Sequence, residues 1–297
     1  MRSCLETLPP LEPRPTRISP RLTGIPDVRA ILFDIYGTLL ISASGDVDVA
    51  EFREEAVLKA FEEGHVEIPP EIPPGKASRR SVELFKTTIQ KMHRDAKARG
   101  IPFPEVDIVR VWQEVVSRLE REGSAKSLPI TDYERCAVVF EVLCNPVYPM
   151  PGLRELLREL QRTHIHLGLV SNAQFFTPLT LSFFLNGAIA TSDEAVRPFD
   201  PKLTVYSYRH LRAKPDPYLF ELAREQLALY GVTPGQTLYL GNDMLNDIWA
   251  AAQVGFKTVL FAGDARSLRL RRDLDQIRNL SPDAVITELN QLLRLLL

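Results

Sequence analysis

Downstream of Pro151 the chain repeats one pattern: a short apolar run, then a stretch with apolar positions every three or four residues, then another run. The runs at 165–170, 203–208, 237–240, 257–261 and 284–286 read as strands. A short uninterrupted apolar run is what a strand covered on both faces requires. Between and after them, 153–162, 178–185, 218–229, 245–253 and 289–296 carry helical spacing. Asp216 and Pro217 cap the helix at 218–229. Another apolar run, 28–33, supplies a first strand and stops abruptly at Asp34-Ile35-Tyr36-Gly37-Thr38. Strands alternating with helices imply an α/β fold, a doubly wound parallel sheet, because each parallel crossover lays a helix on a sheet face.

Residues 46–146 break the rhythm. Helical spacing recurs at 47–63, 82–98, 106–119 and 133–143, with breaks at 69–75 and 123–129 and no alternating strand pattern. A helical domain inserted after the first strand is expected, leaving 28–45 and 147–297 as the core. Residues 1–27 hold six prolines, Pro9 to Pro26, which cannot propagate a helix or a ladder, so a mobile extended arm is expected.

The formal net charge is only −2. That argues against a nucleic acid or an anionic membrane as partner. No apolar stretch approaches the ~18 residues of a membrane span, and no apolar run follows Met1 to suggest a signal peptide. Three cysteines make no disulfide framework, and a reduced cytoplasmic compartment is expected.

In open α/β sheets ligands bind beyond the carboxyl ends of the strands. Asp34, Ser171 with Asn172, Lys214, and Asn242 with Asp243 all fall in such loops. Each is ordinary alone. A strand-ending Asp is a common turn residue, Asp243 suits a helix N-cap, and Asp247 in the first turn suits the helix dipole. Their joint occurrence at one sheet edge points to a site.

Four segments resemble, in order and spacing, the motif set of the haloacid dehalogenase superfamily of hydrolases. They are Leu32-Phe33-Asp34-Ile35-Tyr36-Gly37-Thr38-Leu39, Gly168-Leu169-Val170-Ser171-Asn172, Lys214-Pro215-Asp216-Pro217-Tyr218-Leu219-Phe220, and Leu240-Gly241-Asn242-Asp243-Met244-Leu245-Asn246-Asp247. The resemblance covers about 28–290 and implies a Rossmann-like core with 46–146 as its helical cap. It implies Asp34 as a nucleophile that forms a covalent intermediate, since a carboxylate needs no activating base at neutral pH. Lys214 would neutralise charge, Ser171 would donate to a substrate oxygen, and Thr38 and Asn172 would help hold the substrate. Asp34, Asp243 and Asp247, with the carbonyl of Tyr36, would hold Mg²⁺ through oxygen ligands.

The sequence also departs from the pattern. Phosphatases of the superfamily carry a second Asp two residues after the first, as general acid and base; here Tyr36 stands there, as in the dehalogenases. The dehalogenase tyrosine six residues after the lysine is Phe220, and no halide-contacting arginine stands near 62–65. Asp46 is the nearest acid that could replace the missing donor. Lys76, Arg79 and Arg80 either contact an anionic substrate or form a solvated helix start. The leading expectation is Mg²⁺-assisted removal of phosphate from a small phosphorylated metabolite. The alternatives are metal-independent dehalogenation of a 2-halo acid, and a binding or regulatory protein that lost turnover. The expected partner is a small anionic molecule.

Overall fold

The computed structural model describes residues 5–6, 8–44, 53–189 and 196–296. Asp46 lies outside them. The chain divides into two compact units, Met1–Leu8 with Val47–Pro146, and Pro9–Asp46 with Val147–Leu297.

The second unit is built on six parallel strands: β1 (Ala30–Phe33), β2 (His166–Ser171), β3 (Thr204–Tyr206), β4 (Thr237–Gly241), β5 (Lys257–Phe261) and β6 (Ala284–Ile286). Their spatial order is β6-β5-β4-β1-β2-β3. The order reverses at β1, so the ends of β1, β2 and β4 open onto the topological switch point. β1 shows why the run is uninterrupted. Ile31 and Phe33 face one apolar cluster, with helix Leu153–Leu160 and the last segment Leu289–Leu295. Ala30 and Leu32 face the opposite cluster, with helix Tyr218–Leu229. Period-two alternation therefore buries every residue of the strand. An antiparallel pair, Leu40–Ser42 with Val147–Pro149, joins the chain on either side of the helical insertion.

Several elements differ from the sequence reading. The run at 203–208 is a strand only to Tyr206. A helical turn, Ser207–His210, follows, and Ser207 Oγ accepts from the Ala173 N–H at 2.8 Å. The helix expected at 245–253 opens as a π-helical turn, Met244–Trp249, before Ala250–Gln253. Residues Leu289–Leu295 are 3-10 rather than α-helical. Residues 14–25 of the arm, which was expected to be mobile, are docked. Arg21 exchanges two backbone hydrogen bonds with Val285 of β6, at 2.8 and 3.0 Å. Arg14 N–H donates to Asp264 Oδ1 at 3.0 Å, and Ile25 N–H to the Leu295 carbonyl at 2.7 Å. Prolines remove donors from the arm, but the remaining ones cover an edge strand that would otherwise present unpaired groups.

The other unit is helical: α1 (Glu54–Glu63), α2 (Pro74–Ala98), α3 (Ile108–Arg121) and α4 (Tyr133–Cys144). The prolines expected as a break instead start α2, with Pro74 in its first turn. Trp112 is the hub of an aromatic cluster with Phe61, Phe85 and Phe140, at centroid distances of 5.2–6.1 Å. Two-residue strands, Val66–Glu67 and Lys126–Ser127, pair where no strand was expected. Arg79 is paired with Glu54 at 3.3 Å and Arg80 with Glu122 at 2.7 Å. The two arginines of the basic cluster are thus met by acids of their own unit.

On α4, burial pushes the Glu141 carboxyl up from 4.5 to about 7, against a hydrogen bond from Asn145. An acid whose folded pKa is raised loses stabilisation as pH climbs from its unfolded to its folded value. Glu141→Gln keeps the shape and the acceptor for Asn145. It should unfold at higher denaturant than wild type at about pH 8, with the difference vanishing near pH 4. Equal midpoints at the higher pH would show that the ionised carboxylate carries no penalty.

Candidate active site

Asp34 follows β1 directly, and its N–H donates to the Leu240 carbonyl of β4 at 2.9 Å. This bond fixes the residue beyond the sheet edge. The residue is 6% exposed. Ser171, the last residue of β2, donates its hydroxyl proton to Asp34 Oδ1 at 2.9 Å. The Lys214 ammonium donates to the same oxygen at 2.7 Å and to Asp247 Oδ1 at 2.6 Å. Lys214 also reaches the Tyr239 hydroxyl at 3.0 Å. Thr38 Oγ1 lies 3.4 Å from Asp34 Oδ2 and 3.2 Å from Asn242 Oδ1. Asp34 Oδ1 is therefore doubly held, while Oδ2 keeps lone pairs available for attack.

Two glycines permit this close assembly. Gly37 has φ 78°, and a Cβ there would meet Ser267 Cβ at 2.4 Å and Asn242 Nδ2 at 2.6 Å. A Cβ on Gly241 would meet Asp247 Cγ at 2.3 Å. Asp247 thus tucks under its own loop, and its Oδ2 accepts from the N–H groups of Asn242 and Asp243, both at 2.9 Å.

The electrostatics are those of a buried cation between two anions. Burial works against the charge on Lys214, but Asp247 and Asp34 outweigh it and raise its pKa. Burial pushes Asp247 up to about 6 even though Lys214 pulls it down. Burial and the neighbouring carboxylates carry the Tyr239 hydroxyl well above its usual value of 10, so it stays a neutral donor.

Other expected site residues have different tasks. Asn172 accepts from the Lys214 N–H at 2.7 Å and donates to the Lys214 carbonyl at 3.3 Å. Its amide aligns the lysine loop rather than pointing at a ligand. The Tyr36 hydroxyl meets Thr177 Oγ1 at 2.9 Å. Asp243 was expected to bind metal beside Asp247. Instead its Oδ1 caps the following turn at the Leu245 and Asn246 N–H groups, at 2.8 and 3.2 Å. Its Oδ2 accepts from Arg271 Nη2 at 2.7 Å and from Nε at 3.2 Å. The open helix end and a guanidinium fork thus engage both of its oxygens. Arg271 itself sits in the left-handed region, at φ 48°. That conformation costs about 1–2 kcal/mol for a residue with a Cβ, so the surrounding loop, not local preference, fixes the pair.

Mg²⁺ asks for oxygen ligands in near-ideal octahedral geometry. Of the expected set, Asp247 spends Oδ1 on Lys214 and Oδ2 on two amides. Asp243 is spent on Arg271 and the helix end. The place between Asp34 and Asp247 is held by the ammonium. Among the described residues no three His, Cys, Asp or Glu side chains group to hold a metal ion. The donors as arranged do not fit Mg²⁺ held by Asp34, Tyr36, Asp243 and Asp247.

Sequence reasoning missed Tyr239, Arg271 and the contact of Ser267 with Gly37. Tyr239 alone left a signal, a phenol between two leucines in the middle of a buried strand. The others depend on a return of the chain from β5 that no local pattern announces.

A buried strand-end carboxylate is thus served by a hydroxyl from the end of β2 and by an ammonium from a neighbouring loop. The chain is a member of the haloacid dehalogenase-like hydrolases, whose family model matches residues 28–255. The Rhythmically expressed gene 2 protein of Drosophila melanogaster is 23% identical over 186 residues, 59% of this chain and 66% of that relative. The match thus falls just short of two thirds of that relative's length. A 2-haloacid dehalogenase from Pseudomonas syringae pv. Tomato DC3000 superposes with a TM-score of 0.56 at 20% identity, covering 90% of this chain and 97% of that one. At that identity the likeness speaks for the fold. A HAD phosphatase from Thermococcus onnurineus gives 0.45 at 20%, covering 89% and 96%. No helix among the described residues is long and apolar enough to cross a membrane.

Proposed function

We propose that this hydrolase works through an ester on Asp34 and displaces, without a metal, a leaving group that departs as a stable anion. A 2-halo carboxylic acid is the simplest such substrate. The observation that carries this reading is the position of Lys214, whose ammonium lies 2.7 Å from Asp34 and 2.6 Å from Asp247. The cation that serves the nucleophile is a side chain. Position 36, where a phosphatase would hold its general acid, is a tyrosine bonded to Thr177. A halide needs no proton to leave.

In the first step Asp34 Oδ2 bonds to the substrate carbon, and the carbon–halogen bond breaks with its electron pair going to the halide. In the second, water adds to the carboxyl carbon of Asp34. Negative charge then develops on Oδ1, the atom that Ser171 and Lys214 already contact. Donors placed before charge develops lower the barrier without reorganising. Collapse releases a 2-hydroxy acid that keeps Oδ2, and the water oxygen stays in Asp34. One water proton goes to the product oxygen and the other to solvent.

A second reading, removal of phosphate from a small metabolite with Mg²⁺, has one observation in its favour. Asp34, Asp247 and Lys214 together carry a net negative charge, which a divalent cation would reverse before a phosphate entered. The test is release of halide from 2-halo acids and of phosphate from alkyl and sugar phosphates, each with and without chelator. Halide release that survives chelation, with one ¹⁸O in Asp34 after a single turnover in labelled water, is expected. Phosphate release that chelation stops, with no label in Asp34, establishes the second reading instead. Tight binding without product would mark a binding or regulatory protein.

A further inference from the structure

We infer that Tyr239 is a positioning residue for the site, whose hydroxyl fixes the Lys214 ammonium between Asp34 and Asp247. The inference rests on Lys214 being the cation that serves Asp34.

A lysine ammonium has three protons. Two go to Asp34 Oδ1 at 2.7 Å and Asp247 Oδ1 at 2.6 Å. The Tyr239 oxygen, at 3.0 Å, is the best remaining acceptor, since the Val170 carbonyl lies at 3.4 Å. The phenol has one proton of its own, and the Val170 carbonyl accepts it at 2.7 Å. The longer alternative acceptor for the phenol, Asp247 Oδ1 at 3.1 Å, already takes a Lys214 proton. Val170 directly precedes Ser171, the other donor to Asp34. The one hydroxyl therefore ties the ammonium to the strand that carries Ser171. Tyr239 is fully buried and lies on β4, which pairs with β1 next to Asp34. Its ring packs edge-on against Phe220 at 4.8 Å, and the Lys214 ammonium lies 5.6 Å from the ring centre.

Without the hydroxyl, the third proton of an ammonium that is almost wholly buried is left with a long contact. The ammonium would then trade between its two carboxylates instead of holding one orientation. A buried donor that loses its acceptor pays its full desolvation cost, so the defect is local and chemical, and the ring packing remains.

The test is a ¹H–¹⁵N spectrum of the lysine ammonium groups of the whole protein near neutral pH. In wild type Lys214 should give a slowly exchanging ammonium signal, recognised by its NOEs to the Tyr239 ring. In Tyr239→Phe exchange should speed up roughly 10- to 100-fold, the worth of a hydrogen bond to a charged group, with the backbone amide spectrum otherwise retained. Phe220→Leu, which disturbs the ring packing and spares the hydroxyl, should leave the signal as in wild type. For any substrate turned over, Tyr239→Phe should lower kcat within the same range and leave KM nearly unchanged. The inference is overturned if wild type shows no ordered ammonium with NOEs to that ring, a result that needs no variant to fold. It is also overturned if Tyr239→Phe leaves the signal unchanged, or if Phe220→Leu speeds exchange equally. The ammonium signal requires no substrate, so failure of the functional reading and failure of this inference give different results.

Discussion

Asp34→Asn is expected to lower turnover by roughly 10⁴-fold or more, the scale on which removing a covalent nucleophile acts. An amide oxygen is a poor nucleophile, and no other carboxylate takes its place. Asp247 is bound through both oxygens, to Lys214 and to two amides. The fold should not suffer. The substitution preserves shape, and Lys214 keeps Asp247 as a full counter-charge at 2.6 Å. Removing one of two carboxylates around one ammonium also relieves like-charge repulsion, so the unfolding midpoint should stay level or rise. Activity and denaturation measured on the same preparation check both halves. A folded variant with near-wild-type turnover would end the covalent mechanism in either of its chemical forms.

Lys214→Met should be the most destabilising single change in the site. It leaves Asp34 and Asp247 buried with no cation between them. Removing one partner of a buried ion pair costs about 3–5 kcal/mol. The raised pKa of Lys214 means that its stabilisation is complete at neutral pH and is lost only as pH climbs past that raised value. Neutral pH is therefore where the loss should be full. Asp247, already at about 6 with the ammonium present, moves higher without it. The variant should then recover stability as the pH falls to about 5 and Asp247 takes up a proton. Adding Asp247→Asn should recover part of the loss at pH 7. Denaturation midpoints across that range decide the matter: an equal deficit at both ends, with no rescue by the second substitution, would refute the charge account.

The central sheet was readable because its cause is local. Each residue of Ala30–Phe33 is buried on one face or the other, so the strand has to be apolar throughout. The chain also writes the capping of helix Tyr218–Leu229 at its start, where the Asp216 carboxylate accepts from the Tyr218 N–H at 3.1 Å. The convergence of Asp34, Ser171 and Lys214 was legible for a similar reason. Parallel strands deliver their carboxyl ends and the loops that follow to one edge, so residues there meet whatever lies between them in sequence. The π-helical turn at Met244–Trp249 was not legible. Its spacing looks helical, and its winding answers to Asp247 reaching back under Gly241.

The fate of Asp243 separates the two kinds of information most clearly. Its sequence position suits a helix cap and a metal ligand equally, and nothing local chooses. The choice is made by Arg271, 28 residues away, which enters on a loop bridged to Asp243 itself through Arg269. The docked arm is the same case, since its partners on β6 and in the Asp264 loop lie some 250 residues downstream. The sequence by itself determined the α/β alternation, the placement of Asp34 and Ser171 at strand ends and of Lys214 in a following loop, and the absence of a carboxylate at position 36. Burial pattern and loop position follow from nearest neighbours along the chain. The tertiary structure alone decided which carboxylates remain available, because a carboxylate's role depends on which distant cation or amide reaches it first.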